Sequence, residues 1–167
     1  MFVRILKGIG LAFVLAAVVG AGLYAVRGDP WGPISGRQLS GDVVTEPVAD
    51  WSFTDEHMTI AVETRPAAPH SVTTVCFTHE GQLYVPAVEA PGKSWPHYAV
   101  SEPHVRLKIG DKIYPAKATR VNDPELAPKL TAAAQAKYDF PEPEDGQPRF
   151  RDVWVFRMES DPDVAAH

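Results

Sequence analysis

The sequence has few of the side chains that build disulfides, metal centres or covalent active sites. Cys76 is the single cysteine among 167 residues, which excludes an internal disulfide and a zinc site made of paired cysteines. The chain contains no Gly-x-Ser-x-Gly, Gly-x-x-x-x-Gly-Lys or His-Glu-x-x-His motif. A hydrolase with one of these signatures is therefore not indicated. A buried, inert thiol is expected at Cys76, because no basic residue adjoins it in sequence.

Positive charge and grouped histidines are also scarce. The formal net charge is -5, which argues against nucleic acid as the main partner because phosphate contact needs a basic surface. The histidines of the predicted domain lack the i, i+4 helical spacing of metal ligands, so no metal site is predicted. They are His57, His70, His79, His97 and His104. A haem-binding protein using His79 or His97 stays open as an alternative.

What the chain does have is a long apolar run at its N-terminus. Gly8 to Val26 carry no charge, with Arg4 and Lys7 before them and Arg27 after them. About 19 residues at roughly 1.5 Å each match the thickness of a bilayer core. We expect a membrane anchor over residues 1–27, with the domain on the outer side by the positive-inside rule. A cleaved signal peptide is the alternative reading of the same residues.

The remaining chain divides by composition. Residues 28–42 are rich in Gly, Pro and Ser and predict a linker, residues 43–160 a domain, and residues 161–167 a loose tail. Within the domain, apolar residues alternate in short segments. Strands are predicted from Met58, around Glu80-Gly81, around Gly110-Asp111, and at the end in "RFRDVWVFRME", with Trp154, Phe156 and Met158 on one side.

Helices are few in this pattern. A short helical corner is expected near Trp95, and a longer helix from Pro124 to Tyr138. Because helices do not alternate with strands, a doubly wound parallel sheet is not indicated. The sequence predicts a mainly β (α+β) domain, an antiparallel split β-barrel with one or two helices, since closure protects strand edges.

One group of residues could hold a ligand. Ser71, Thr73 and Thr74 supply hydroxyls on a strand, Lys93 follows a glycine, and Trp95 offers a flat apolar face. Such a set can donate hydrogen bonds to a phosphate and cover a planar ring. The alternative is purely structural, with threonines favoured in a strand, a solvated lysine, and a tryptophan that plugs one end of a barrel.

The stretch from about Ser71 to Val121 resembles the split β-barrel family of flavin- and deazaflavin-dependent oxidoreductases. This family includes pyridoxamine-phosphate-oxidase-like and deazaflavin-dependent nitroreductase-like proteins. The resemblance is carried by "SVTTVCFTHEGQLYVPA" and by "GKSWPHYAVSEPHVRLKIGDKIYPAKATRV", in which Pro103, Val105 and Leu107 match a Pro-x-Val-x-Leu strand. It covers roughly a third of the chain.

The resemblance implies FMN or F420 as cofactor, bound in a groove of a dimeric barrel. It implies that Ser71, Thr73 and Thr74 line the phosphate and ring site and that Lys93 and Trp95 reach the cofactor, with weaker matches at two further basic residues, Arg106 and Lys108. The basic segment that many deazaflavin-binding members carry before the first hairpin is replaced by "ETRPAAPH", which has only Arg65.

Three functions follow as expectations. The first is a membrane-anchored oxidoreductase that transfers hydride to a small acceptor such as a quinone or a nitro compound. The second is a non-catalytic module outside the cytoplasm, an accessory subunit of a membrane complex. The third is a haem-binding barrel. The expected partners are the membrane, a small-molecule acceptor and a second copy or a membrane complex.

Overall fold

The computed structural model describes residues 28–139 and 152–161, together with Leu15, Val18 and Gly20. The anchor predicted over residues 1–27 therefore lies almost wholly outside the described residues, and the tail predicted over 161–167 does so after Asp161. Among the residues that are described, no helix has the length and apolar character needed to cross a bilayer.

Eight strands and two α-helices lie within these residues. The strands are β1 Asp42–Val43, β2 Ile60–Thr64, β3 His70–Thr74, β4 Phe77–His79, β5 Gln82–Ala87, β6 His104–Ile109, β7 Lys112–Val121 and β8 Trp154–Ser160. The helices are α1 Ser94–Ser101 and α2 Ala127–Tyr138, and short 3-10 helices span Ser52–Glu56 and Ala90–Gly92.

The strands form one curled antiparallel sheet. Its order is β3-β2-β6-β7-β8-β5-β4, and the short β1 pairs with β7 in parallel, off this path. The two edge strands, β3 and β4, follow each other in the chain with only Val75 and Cys76 between them. The Thr74 hydroxyl donates a 3.3 Å hydrogen bond to the Pro86 carbonyl, which ties the end of β3 to β5. The predicted antiparallel split barrel with two helices is confirmed.

One predicted hairpin differs from the structure. The alternation predicts a single arm before Glu80-Gly81, but that arm is broken after Thr74. β3 pairs with β2, and only β4 pairs with β5. The break occurs because Tyr138 bonds the backbone of Cys76: its hydroxyl lies 3.0 Å from the Cys76 amide nitrogen and 2.6 Å from the carbonyl oxygen.

The longer helix also begins later than expected. The sequence places its first residue at Pro124, whereas α2 begins at Ala127. The Asp123 carboxylate accepts hydrogen bonds from the amides of Glu125 and Leu126, so these residues form a turn before the helix. The hairpin between β6 and β7 at Gly110-Asp111 is confirmed.

The core fills the inner face of the sheet. Apolar side chains alternate inwards along the strands as predicted, for example Val105, Leu107 and Ile109 on β6 and Phe156 on β8. α1 closes one end of the barrel. α2 covers part of the outer face, where Leu130 packs with Phe77 and Tyr84 in a second apolar cluster. Burial of each such side chain stabilises the fold by about 1.5–3 kcal/mol.

Candidate functional site

Polar side chains gather on the outer face of β3, β2 and β6. In the strand register Ser71 lies beside Glu63 and Glu63 beside Arg106, while Thr73 lies beside Ala61 and Ala61 beside Lys108. Successive residues of a strand point to opposite faces, and the intervening Val62 is a core residue, so these two rows share the outer face. We call this set the polar face: Ala61, Glu63, Ser71, Thr73, Arg106 and Lys108.

The polar face has a fixed ion pair at its centre. Glu63 is 3% exposed, and the Arg106 guanidinium donates 3.1 Å hydrogen bonds to both of its carboxylate oxygens. A carboxylate so deeply buried needs such a partner, because an uncompensated charge away from water is costly. The pair therefore holds Arg106 in one orientation beside Lys108.

Residues 28–41 lie across this face and are called the strap. The Lys108 ammonium donates to the Asp29 carboxylate at 2.5 Å and to the Ser40 carbonyl at 2.7 Å. The Leu39 amide donates to Glu63 at 2.5 Å, and the Arg106 guanidinium reaches the Leu39 carbonyl at 3.4 Å. The stretch predicted as a linker over residues 28–42 is thus bonded to the barrel through most of its length.

The contact with Lys108 changes the pKa of Asp29. Burial alone would raise the pKa of its carboxyl, but hydrogen bonds from Lys108 and Ser40, with the Lys108 charge, outweigh burial and lower that pKa below 3.8. The charged form of Asp29 is therefore the form that holds the strap. A negative group already occupies the place beside Lys108 where another anion would bind.

Ser71 has a buried hydroxyl with no acceptor. Its backbone pairs with Gly36 of the strap through hydrogen bonds of 2.8 and 3.2 Å. Its side-chain oxygen is fully buried and makes no hydrogen bond within the part of the chain that the structure describes. Buried hydroxyls are normally paired, so this one is an unpaired donor, and it lies beneath Gly36 of the strap.

The other predicted site residues lie elsewhere. The Thr74 side chain points inwards to Pro86. Trp95 on α1 is 4% exposed and packs in the core against Phe156, with ring centroids 5.3 Å apart. Lys93 is exposed just before α1. The structure thus brings Ser71 and Thr73 together with Arg106 and Lys108, and it separates Trp95 from that group. Cofactor binding by these residues stays a prediction.

Sequence reasoning missed a cluster of cations and aromatic rings beside α1. The Arg65 guanidinium lies 4.5 Å from the centroid of the Tyr98 ring, and the His70 ring meets the same tyrosine edge-on at 5.6 Å. Burial, together with the Arg65 charge, lowers the pKa of His70. The neutral imidazole is therefore favoured near pH 7. Arg65 has a positive φ of 59°, a conformation that no pattern in the sequence signals.

A matching cluster lies on the other flank of α1. The Arg120 guanidinium stacks 3.7 Å above the Trp154 ring, and the His97 ring meets that tryptophan edge-on at 4.9 Å. Cation–aromatic contacts of this kind attract through the ring quadrupole. Both clusters join residues of α1 to residues distant in sequence, so local sequence patterns do not reveal them.

Cys76 has a basic neighbour that the local sequence does not show. The Lys137 ammonium, from α2, lies 3.7 Å from the thiol sulfur and also donates to the Thr54 carbonyl at 2.9 Å. Burial nevertheless raises the pKa of the thiol, and the Lys137 charge offsets only part of that effect. The neutral thiol is the stable form, which agrees with the expected inert cysteine.

Comparison with solved structures identifies the fold. A conserved hypothetical protein from Mycobacterium tuberculosis is 15% identical, matches 65% of this chain and 76% of its own, and has a TM-score of 0.52. The haem storage protein HutZ from Vibrio cholerae is 18% identical over 65% of this chain and 85% of its own, with a TM-score of 0.53. An F420-H2-dependent reductase is 19% identical over 62% of this chain and 95% of its own, with a TM-score of 0.47.

The first two of these structures, both with TM-scores above 0.5, agree with the predicted split-barrel fold, and the resemblance to split-barrel proteins is confirmed. At such low identity the likeness concerns the fold. No protein-family model matches the chain, and no curated protein matches it.

Proposed function

We propose that this protein is a membrane-anchored split-barrel oxidoreductase that binds FMN or F420. The acceptor would be a small molecule such as a quinone or a nitro compound. The observation that carries the proposal is the polar face, where two hydroxyls and two cations from separate strands lie in adjacent rows. Guanidinium, ammonium and hydroxyl donors are the groups that bind phosphate in proteins.

The residues of the polar face fit a phosphorylated cofactor. Arg106, held by Glu63, and Lys108 would take the negative charge of the phosphate, and the orphaned hydroxyl of Ser71 would donate a further hydrogen bond. Neighbouring strands lie about 4.8 Å apart, so the hydroxyls and the cations stand about 10 Å apart across β2. A phosphate group with its ester chain bridges such a span. The cofactor ring supplies the hydride chemistry.

Cofactor binding at the polar face would have to displace contacts of the strap. Asp29 and the carbonyls of Leu39 and Ser40 already bond the two cations. An incoming phosphate competes with the Asp29 carboxylate for Lys108. The free energy of cofactor binding is then reduced by the free energy of strap docking, and weakening the strap raises cofactor affinity.

An absorbance titration of the full chain in mild detergent tests the proposal. We expect spectral changes on adding FMN or F420, tighter binding in Asp29→Asn and weaker binding in Lys108→Met. Lys112→Met is the matched control, since Lys112 is exposed on β7 and makes no ion pair with any residue that the structure describes. Absence of any spectral change in both the wild type and Asp29→Asn, with either cofactor, contradicts the function.

The covered state of the polar face favours a second candidate. A module whose cation pair is satisfied by its own strap needs no small ligand, as expected for a non-catalytic accessory subunit of a membrane complex outside the cytoplasm. Co-purification with a stable complex in mild detergent, without cofactor absorbance, is the result this candidate predicts. A haem-binding barrel, the third candidate, predicts a Soret band that responds to His97→Ala or His79→Ala.

A further inference from the structure

An uncharged apolar tip projects from the strap. Trp31, Gly32, Pro33 and Ile34 form a tight turn in which the backbones of Trp31 and Ile34 exchange hydrogen bonds of 3.0 and 3.1 Å. All four residues are exposed, Trp31 to 76% and Ile34 to 42%. A large aromatic ring and a branched aliphatic side chain thus stand side by side in solvent, where exposure of such surface is unfavourable.

The tip is rigidly connected to the barrel. The Arg37 amide donates to the Gly28 carbonyl at 2.7 Å, so the chain before and after the tip runs as a closed pair. Gly36 pairs with Ser71 on β3, and Asp29 pairs with Lys108 on β6. The position of Trp31 relative to the sheet is therefore fixed by contacts on both sides of the turn.

The apolar run that precedes the tip ends very close to it. Val26 is the last residue of the uncharged stretch, five positions before Trp31. Five extended residues span at most about 18 Å, which exceeds the roughly 5–8 Å of headgroup region in one leaflet, so the chain is long enough for the tip to meet that region. Leu15 and Val18, the two large apolar side chains of that run that the structure describes, are exposed to 56% and 63%.

We propose that the tip formed by residues 31–34 lies in the headgroup–acyl boundary of a bilayer and orients the barrel on it. The inference rests on the membrane anchoring included in the proposed function, but not on cofactor binding. Tryptophan is enriched at this depth because its ring is apolar while its N–H remains in contact with polar groups. Arg37, three residues beyond the tip, is exposed, and a cation at this position would attract lipid phosphates.

Fluorescence quenching by brominated lipids measures this placement. The full chain is reconstituted into vesicles of phosphatidylcholine and phosphatidylglycerol, with or without bromine on the acyl chains. Trp51 and Trp95 are 2% and 4% exposed in the core, so quenching by lipid falls mainly on Trp31 and Trp154. We expect brominated vesicles to quench the wild type and Trp154→Phe, and Trp31→Phe to lose most of that quenching.

A second pair of variants keeps the tryptophan in place. Ile34→Glu puts a charge at the tip and is expected to reduce the quenching of Trp31, because charged side chains leave the apolar boundary. Val43→Glu adds the same charge at an exposed apolar position on β1 and is expected to leave quenching unchanged. Equal urea unfolding curves confirm that each variant folds.

Three results overturn the inference. They are full quenching retained in Trp31→Phe, wild-type protein that sediments with vesicles but is not quenched, and protein that does not sediment with vesicles. Protein that does not sediment with vesicles is not anchored in them, so the tip cannot lie in the bilayer. An absorbance change on cofactor addition is independent of all three, so a failure of the tip and a failure of the cofactor proposal are distinguishable.

Discussion

Lys108 on β6 and Asp29 at the start of the strap form a 2.5 Å ion pair across 79 positions of sequence. The pair fixes one end of the strap on the polar face, and the Ser40 carbonyl on the same ammonium fixes the other end. One side chain thus closes the strap into a loop against the sheet.

Removing the Asp29 charge is expected to loosen the strap. In Asp29→Asn the amide cannot form an ion pair with Lys108, so the amides of Gly36 and Leu39 should exchange with deuterium faster than in the wild type. Hydrogen exchange followed by mass spectrometry of strap peptides measures this. Asp42 is an exposed carboxylate without a side-chain partner in the described part of the chain, so Asp42→Asn should behave as wild type. Equal exchange in both variants contradicts the role of the pair.

Acid should release the strap in the same way. Because the pKa of Asp29 is lowered in the folded state, its contribution is present above the unfolded value of 3.8 and is lost as pH falls through the folded pKa. We expect strap exchange in the wild type to rise below that value, after correction for the intrinsic exchange rate. Asp29→Asn should lack this acid-dependent step.

Arg106→Met should cost more than the removal of an ordinary surface ion pair. The substitution leaves the Glu63 carboxylate, 3% exposed, with the Leu39 amide as its one remaining donor among the described residues. Breaking a buried pair by removing one partner costs about 3 kcal/mol. Urea unfolding measures the free energy of unfolding, and the double variant Glu63→Gln with Arg106→Met should recover part of the loss. A change no larger than that of Lys112→Met would contradict the argument.

Substitutions of Trp95 and Lys93 should have very different effects on the free energy of unfolding. Trp95→Ala removes a core ring packed on Phe156 and is expected to lower the free energy of unfolding by about 3–5 kcal/mol. Lys93→Ala removes an exposed side chain and should change it by less than about 0.5 kcal/mol. Loss of cofactor absorbance in Lys93→Ala at unchanged stability would support the predicted binding role of that lysine.

Alkaline pH should destabilise the fold through Cys76. Burial holds the pKa of its thiol above 9.0 in the folded state, so the unfolded chain releases its proton first. Stability is then fully present below pH 9 and falls as pH rises above it. Urea unfolding at pH 8 and pH 10 should show a smaller alkaline loss for Cys76→Ala than for the wild type. Slow alkylation of the native thiol by iodoacetamide at pH 8 is the companion readout.

Local patterns predicted the parts of the fold that depend on near neighbours. The hairpin at Gly110-Asp111 follows from alternation on both sides of a turn, and its strands pair as expected. The break at Val75 was not predictable, because it depends on the Tyr138 hydroxyl, which comes from 62 positions away. No period within the 70–79 segment carries that information.

The candidate site also combines residues that the sequence indicates with positions that depend on tertiary structure. The hydroxyls of Ser71 and Thr73 indicate a binding role from sequence, and the family resemblance adds Arg106 and Lys108 as weaker matches. Their common face depends on how β2 is aligned between β3 and β6, and that register is a tertiary property. Trp95 could not be assigned from sequence either, since a ring that covers a ligand and a ring that plugs a barrel end follow the same local pattern.

The strap can pass close over Ser71 because Gly36 has no side chain. A Cβ atom added there would collide with the Gly28 carbonyl oxygen and would lie 2.5 Å from the Pro30 nitrogen and 2.6 Å from the Ser71 hydroxyl. Alanine at this position alters no charge, yet its methyl group would prevent the strap from packing against Ser71. Gly36→Ala would therefore displace the strap from the polar face without changing any ionisable group. The steric and the electrostatic contributions to strap docking can then be varied separately.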